Sequence, residues 1–384
     1  MAGMNHEATD DRDAFRAAAA KIAAADFILL AAGAGFSADS GLPVYNDIAA
    51  VEAYVEQGLE YQDLCDPYWL ESDEEVFYGF WGSCVNAYRD TATHRGYQLL
   101  ATWKQRLASK SATPEVFRET LDRLRQSGSF LPSVHNSRAT TNDPFFVYTS
   151  NVDAHFHRHF NANEIYELHG SVETWQCAGD ADGKGRKPCD ATWQLPKSAR
   201  FVVDRQTMRA DGRAITTCPQ CGGQARPNVL MFHDKNWIAN TDEEVRSLVA
   251  WIGDAQLITF YVSTLQERYV AWEAVMEQML ENEKNLKLVV LEIGCGMRVP
   301  SVRRETEMVV ADAFQRCIAR REVEGCASRA AEQVTLVRVN PDFPQCDDTT
   351  LLNNNLVISL RSTGLLALER LEKEIQGMGT GADN

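Results

Sequence analysis

Residues 27–41 read FILLAAGAGFSADSG, an apolar run that stops abruptly in small and hydroxylated residues. An uncharged run of this length suits a strand buried on both faces, as in a parallel sheet. The small residues of positions 33–41 then leave the backbone open to close approach. Strand, glycine turn and helix start, in that order, form the unit that cradles a phosphate, with unpaired N–H groups facing the anion. A tight turn that holds no ligand has the same composition, so the turn alone does not decide between the two.

The chain has 384 residues, room for two or three domains or for one large domain with insertions. Its formal net charge of -16, with no basic stretch longer than a few residues, argues against direct binding of nucleic acid. No apolar stretch has the length of a membrane span. The polar, acidic start MAGMNHEATDDRDAF has the pattern of neither a signal peptide nor a transit peptide. Ten cysteines in such a chain suit thiols or metal rather than disulfides. The expected setting is therefore intracellular, cytoplasmic in the first instance, with nucleus and organelle left open.

A helix is expected over 10–25, with residues 1–9 as a disordered tail. Residues 46–92 are rich in aromatics at helical spacing, which reads as an inserted helical layer packed through its rings. Amphipathic helices follow at 94–108 and 114–126, then a polar loop. Further strands are expected at 145–150, 227–232, 255–262, 286–294 and 334–340, and a helix closes the chain over 356–375, with 377–384 as a tail. Apolar strands separated by helices read as an α/β chain whose parallel sheet carries helices on both faces. No internal repeat is present.

At YTSNVD the strand ends in Ser150 and runs into Asn151 and Asp153. Ligands of open α/β sheets sit beyond such carboxyl ends, and an amide beside a carboxylate suits a ribose or a carboxamide. Capping of the next helix explains the same two residues equally well. His155, His157 and His159 lack matched ligands for a metal and read as a part-exposed helix face. His169 precedes Gly170 in ELHGS; an imidazole beside a flexible turn is the usual form of a general base. Cys177, Cys189, Cys218 and Cys221 supply four thiols, the last two as C-x-x-C followed by two glycines, and together suit a closed tetrahedral zinc site over 171–225. A redox role for the C-x-x-C pair is the alternative. The six other cysteines, Cys65, Cys84, Cys295, Cys317, Cys326 and Cys346, read as small buried hydrophobes.

In order, GAGFSADSGLP, TSNVD, ELHGS, CPQCGGQARPNVLMFHD, EIGCGMRVPSVR and VRVN resemble the motifs of the sirtuin (Sir2-like) family of NAD-dependent protein deacylases, over about residues 27–370. The resemblance implies a Rossmann-like NAD-binding domain assembled from 10–45, 93–170 and 226–376. A small domain would combine the helical insertion 46–92 with the zinc module 171–225. It implies NAD and zinc as cofactors and an acyl-lysine protein or peptide as substrate. Gly33, Ala34 and Gly35 would face the pyrophosphate, with Ser37, Ser40, Gly41, Pro43, Tyr45 and Ser150 also at the cofactor. Asn151 and Asp153 would hold the nicotinamide ribose and carboxamide. Gly294, Cys295 and Asn340 would border the adenosine ribose. Val229, Leu230 and Phe232 would pair with the peptide as an added strand. In the family's mechanism the acyl oxygen attacks the ribose carbon as nicotinamide leaves, and His169 then helps a ribose hydroxyl attack the acyl group.

The chain departs from the family pattern in three places. Tyr45-Asn46 stands where Phe-Arg is usual, Ser150 where Gln is usual, and His233 where Gly is usual in the F-G-E strand. Residues 235–285 also form a longer segment than the family's. Asn46 and His233 favour ADP-ribosyl transfer or NAD hydrolysis as the alternative activity, and an NAD-binding protein with little catalysis is a third reading.

Overall fold

The computed structural model describes residues 2–44, 47, 50–110, 113–127, 143–179, 187–211, 216–239, 264–323 and 327–380. The strand expected at 255–262, most of the polar loop before Pro144, and Tyr45-Asn46 lie outside them.

The described strands are β1 (Phe27–Ala32), β2 (Phe145–Thr149), β3 (Ile165–Glu167), β4 (Gly170–Gly179), β5 (Thr192–Gln194), β6 (Gln224–Val229), β7 (Leu288–Ile293), β8 (Val334–Val339) and β9 (Val357–Leu360). Six of them form a parallel sheet in the order β3-β2-β1-β7-β8-β9. Every residue of β1, β2, β7 and β8 is buried, as expected of strands covered on both faces.

Alternation divides β1 between two cores. Phe27, Leu29 and Ala31 pack on one face; Ile28, Leu30 and Ala32 pack on the other. Helices α1 (Ala2–Ala24), α7 (Arg95–Ser109) and α12 (Gly364–Thr380) cover the second face through Phe15, Tyr97, Leu100 and Leu368. Helices α8 (Thr113–Gln126), α9 (Thr264–Asn282) and α10 (Ser301–Val323) cover the first through Phe117, Trp272, Val310 and Phe314. Helix α1 includes residues expected as a disordered tail, and α12 runs past residue 375.

A third core joins the short helices α3 (Glu52–Val55), α4 (Tyr61–Leu64) and α5 (Tyr68–Ser72), and the longer α6 (Glu74–Asp90), to a three-stranded antiparallel sheet in the order β5-β4-β6. Phe77, Trp81, Trp175 and Phe201 are its large buried rings. The aromatic run is thus mainly core, as its spacing predicts.

Two strand expectations are corrected. The sequence places a strand at 227–232 with the parallel sheet; the strand is Gln224–Val229, and it pairs antiparallel with β4, Val229 beside Gly170. An apolar run does not encode its partner, and here the cysteine turn folds residue 224 back beside Gly179. The segment 356–375 was read as helix throughout, yet β9 precedes α12 and pairs with Leu336–Val339. Its short, half-buried edge position leaves little hydrophobic signal. Among the described residues, no helix is long and apolar enough to cross a membrane.

β1 pairs with β2 on one side and β7 on the other. The crevice of an open α/β sheet forms at such a point, beyond the carboxyl ends.

Candidate active site

Two glycine turns meet at that crevice. The Gly33 N–H donates to the Ile293 carbonyl at 3.0 Å and the Gly35 N–H to the Gly294 carbonyl at 3.0 Å. A Cβ on Gly33 would stand 2.7 Å from the Gly294 oxygen. Gly294 has φ +67°, where an L side chain is strained. The glycines are therefore small first because the chain's own second turn occupies the space beside them.

The remaining space beyond the strands is a cavity of about 520 Å³ lined by Gly33, Ala34, Gly35, Ser150, Gly294, Cys295 and Asn340, among others. These are residues the sequence assigned to a cofactor. The structure adds Asp342, Phe343, Thr363 and Gly364 to the walls. Asn340 has a bordering position, but its side chain is largely occupied. Its Nδ2 donates to the Cys295 carbonyl at 2.9 Å, and its Oδ1 accepts the Asp342 and Phe343 N–H groups, each at 2.9 Å.

A second cavity of about 220 Å³ adjoins the first through Ala34, Val44, Ser150 and Val299. It is lined by Ser37, Pro43, Asn151, Asp153 and His169 on the large-sheet side, and by Val229, Leu230 and Phe232 on the small-sheet side. Ser37 ties the polar residues together: its hydroxyl donates to Asp153 Oδ2 at 2.5 Å and accepts from Asn151 Nδ2 at 3.0 Å. Asp153 Oδ1 also accepts the His155 N–H, so capping and cavity lining coexist in one side chain. Burial pushes the His169 imidazole below the usual histidine range, opposed by a hydrogen bond to the Ser150 backbone. A neutral imidazole facing the same cavity as an amide and a carboxylate can accept a proton from a bound hydroxyl.

Ser40 and Gly41 are not brought to either cavity. The Ser40 hydroxyl accepts the His94 N–H at 3.1 Å, and Gly41 makes a turn at φ +88°. His233 stands at φ +56°, the region where a glycine fits without strain. Its side chain is 84% exposed and Nδ1 lies 2.8 Å from Asp66 Oδ2, so it lines neither cavity. Tyr61 and Cys65, from the helical layer, do line the smaller cavity. No sequence signal marks them, because their position depends on how the helices dock. The three closely spaced histidines part company: His155 is fully buried, His157 Nε2 lies 3.2 Å from Glu167, and His159 Nε2 lies 2.7 Å from the Thr93 hydroxyl.

At the far end of β4, Cys177, Cys189, Cys218 and Cys221 converge with all four sulfurs within 4.8 Å of one another. Among the described residues they are the one group able to hold a metal ion. Sulfur separations of 3.5, 3.6 and 3.7 Å fit the ~3.8 Å edge of a tetrahedron with Zn–S bonds of ~2.3 Å. N–H groups of Gly179 and Cys189 point at the Cys177 sulfur, each at 3.4 Å. The Gly223 backbone holds the Cys221 thiol down, while burial pushes those of Cys177 and Cys189 up. A set of four thiols with N–H donors fits a closed structural zinc better than a redox pair. Five further cysteines, Cys65, Cys84, Cys295, Cys317 and Cys346, are buried as expected.

Residues 102–254 match the model of the Sir2 family. An NAD-dependent protein deacylase of Thermococcus kodakarensis is 27% identical over 168 residues, 40% of this chain. The match spans 58% of that relative's length. Among solved structures, a Sir2 homolog–NAD complex aligns at 15% identity with a TM-score of 0.47, covering 94% of each chain. A Sir2 bound to acetylated peptide aligns at 14% identity with a TM-score of 0.43, covering 92% of this chain and 94% of that one. The match to the family model lies inside the ordered series of motifs, so over that span the chain is similar to the Sir2 family.

Proposed function

We propose that the protein is an NAD-dependent protein lysine deacylase, transferring an acyl group from lysine to ADP-ribose with release of nicotinamide. One observation carries the reading: His169, Asn151 and Asp153 line the same cavity as the Val229–Phe232 wall, and that cavity shares Ala34, Val44, Ser150 and Val299 with the glycine-walled one. Bound NAD would supply the ribose carbon whose bond to nicotinamide breaks. Asn151 and Asp153, locked by Ser37, would orient the carboxamide and the nicotinamide ribose. His169, kept neutral by burial, would take the proton of a ribose hydroxyl. Gly33, Ala34 and Gly35 would line the path of the pyrophosphate. The peptide would lie along the segment that follows β6. Four cysteine thiolates would hold zinc as a structural ion, remote from the chemistry.

The related NAD-dependent deacylase supports this substrate class. The nine described cysteines are free thiols, which supports a reducing, intracellular setting. The proposed division keeps the parallel sheet as the NAD-binding unit. It groups 46–92 with 171–225 as the small unit, to which β6 is added by its pairing with β4.

The test is mass spectrometry of products after incubation with NAD, with and without acyl-lysine peptides. Acyl-ADP-ribose formed only in the presence of peptide is the expected result. ADP-ribose and nicotinamide formed equally without peptide would replace deacylation by NAD hydrolysis, and ADP-ribosylated protein would replace it by ADP-ribosyl transfer.

A further inference from the structure

Beneath the larger cavity lies a buried charged group that the functional reading does not use. Glu292 on β7 and Arg338 on β8 are register partners, 1% and 0% exposed. Arg338 donates to Glu292 Oε2 at 2.8 Å, to Glu307 Oε1 at 2.9 Å and to the Gln345 carbonyl at 3.1 Å. Arg303 on α10 reaches the same loop, donating to the Phe343 and Gln345 carbonyls at 2.9 Å each, and lies 3.6 Å from Glu292 Oε1. Neither guanidinium lines the cavity.

A buried ion group of this kind is poor evidence of stabilisation, because desolvation offsets its attraction and apolar residues pack the same space. Its specific output here is geometric. The segment after β8 lies outside helix and sheet, and the carbonyls of its exposed residues Phe343 and Gln345 take side-chain donors in part-buried contacts. Two rigid guanidinium forks supply them from below. From the cavity side Asn340 takes the Asp342 and Phe343 N–H groups and ties the loop to Cys295. The loop that walls the cavity is thus gripped on both faces, against the glycine turn of β7.

We infer that Arg303 and Arg338, balanced by Glu292, are positioning residues that set the adenosine end of the dinucleotide cavity. The inference rests on the proposed use of NAD. The proton-accepting and carboxamide-binding groups lie in the smaller cavity, so the nicotinamide end belongs there and the adenosine end falls against Asn340–Phe343. Loss of the grip lets this wall move, which weakens binding of the adenosine half without touching His169.

The test uses the zinc-loaded full chain, with titration calorimetry of NAD and of ADP-ribose and steady-state kinetics. Wild type binds both ligands. In Arg303→Met, affinity for ADP-ribose falls about tenfold or more, the scale of one lost charge-assisted hydrogen bond. KM for NAD rises in step, while kcat at saturating NAD and KM for peptide stay within about twofold. Arg303→Lys falls between, since one ammonium cannot reproduce the fork. Unchanged ADP-ribose affinity in folded Arg303→Met overturns the inference; if that variant does not fold, unchanged affinity in Arg303→Lys does so. A parallel rise of both KM values with a fall in kcat also overturns it, reducing the group to general support of the fold. A wild type that binds neither ligand overturns the functional reading, and this inference with it.

Discussion

Gly294 packs against Gly35 so closely that neither position has room for a side chain. A Cβ on Gly35 would stand 2.8 Å from Gly294 Cα, and one on Gly294 2.6 Å from the Gly35 carbonyl carbon. The crevice is therefore built backbone against backbone, and both turns must be right for the cavity to exist.

Gly294→Ala is expected to cost ~1–3 kcal/mol from the left-handed backbone alone, and more from the clash with backbone that cannot swing aside. Thermal denaturation and NAD titration check this. The melting temperature should fall and NAD affinity with it; an unchanged pair would mean the two turns are free to separate.

Ser37→Ala removes the hydroxyl shared by Asn151 and Asp153. Loss of a buried hydrogen bond of this type costs ~1–3 kcal/mol, so activity should fall about tenfold or more. Comparison of kcat with the melting temperature separates misplacement of the pair from unfolding: the fall in kcat should exceed what the stability change explains.

His169→Ala should lower turnover by ~10²–10⁴, the usual worth of a positioned general base, with the fold retained. On the proposed mechanism the active form is the neutral one, and burial lowers the pKa of His169. The rate should therefore rise with pH along a limb centred below the ordinary value of ~6.5 and stay level above it. A limb centred above that value would mean another group carries the proton.

Cys218→Ser should reduce bound zinc below one ion per chain and lower stability on the order of several kcal/mol, since metal binding to such a site is folding free energy. Metal analysis beside a melting curve checks it. Full zinc content in the variant would place the ion elsewhere.

Glu273 on α9 is pushed up to about 8, first by burial and then by Glu305, Glu277 and Asp312, with Arg316 opposing. The folded protein then binds more protons than the unfolded chain between an ordinary ~4.3 and about 8. Stability therefore falls as pH rises through that window. Glu273→Gln should flatten the decline and gain up to about 5 kcal/mol at alkaline pH, read from denaturant midpoints at several pH values. Parallel curves for variant and wild type would remove Glu273 as the cause.

Sequence reasoning reached furthest where local chemistry and position coincide. The small residues after β1, the Asn151–Asp153 pair and His169 line the two adjoining cavities, and four cysteines from two distant segments converge in one cluster. Pairing was out of reach. The apolar run 227–232 reads like a parallel strand, yet the paired strand is the more polar Gln224–Val229, held by the long edge of β4. Ser40 resembles its neighbour Ser37 in the motif, but one residue serves His94 and the other Asp153, a difference set by which way a short helix turns. Arg303 and Arg338 stand inside the motifs EIGCGMRVPSVR and VRVN, but nothing there marks them as buried, because a buried cation is recognised only by what surrounds it.

The Asp39 carboxylate accepts the Leu365 N–H at 2.7 Å, joining the first glycine turn to the start of α12. Thr363 and Gly364 complete the wall of the larger cavity. In a chain made from its N-terminus, the first glycine motif thus leaves the ribosome and waits through more than three hundred residues for the segment that closes its site. The central strand waits similarly for β7, so the nascent β1 edge is exposed throughout much of synthesis. If the cavity takes NAD as proposed, capture of the cofactor would be a late, post-assembly event, and interruption before residue 363 would leave the first motif present and its cavity incomplete.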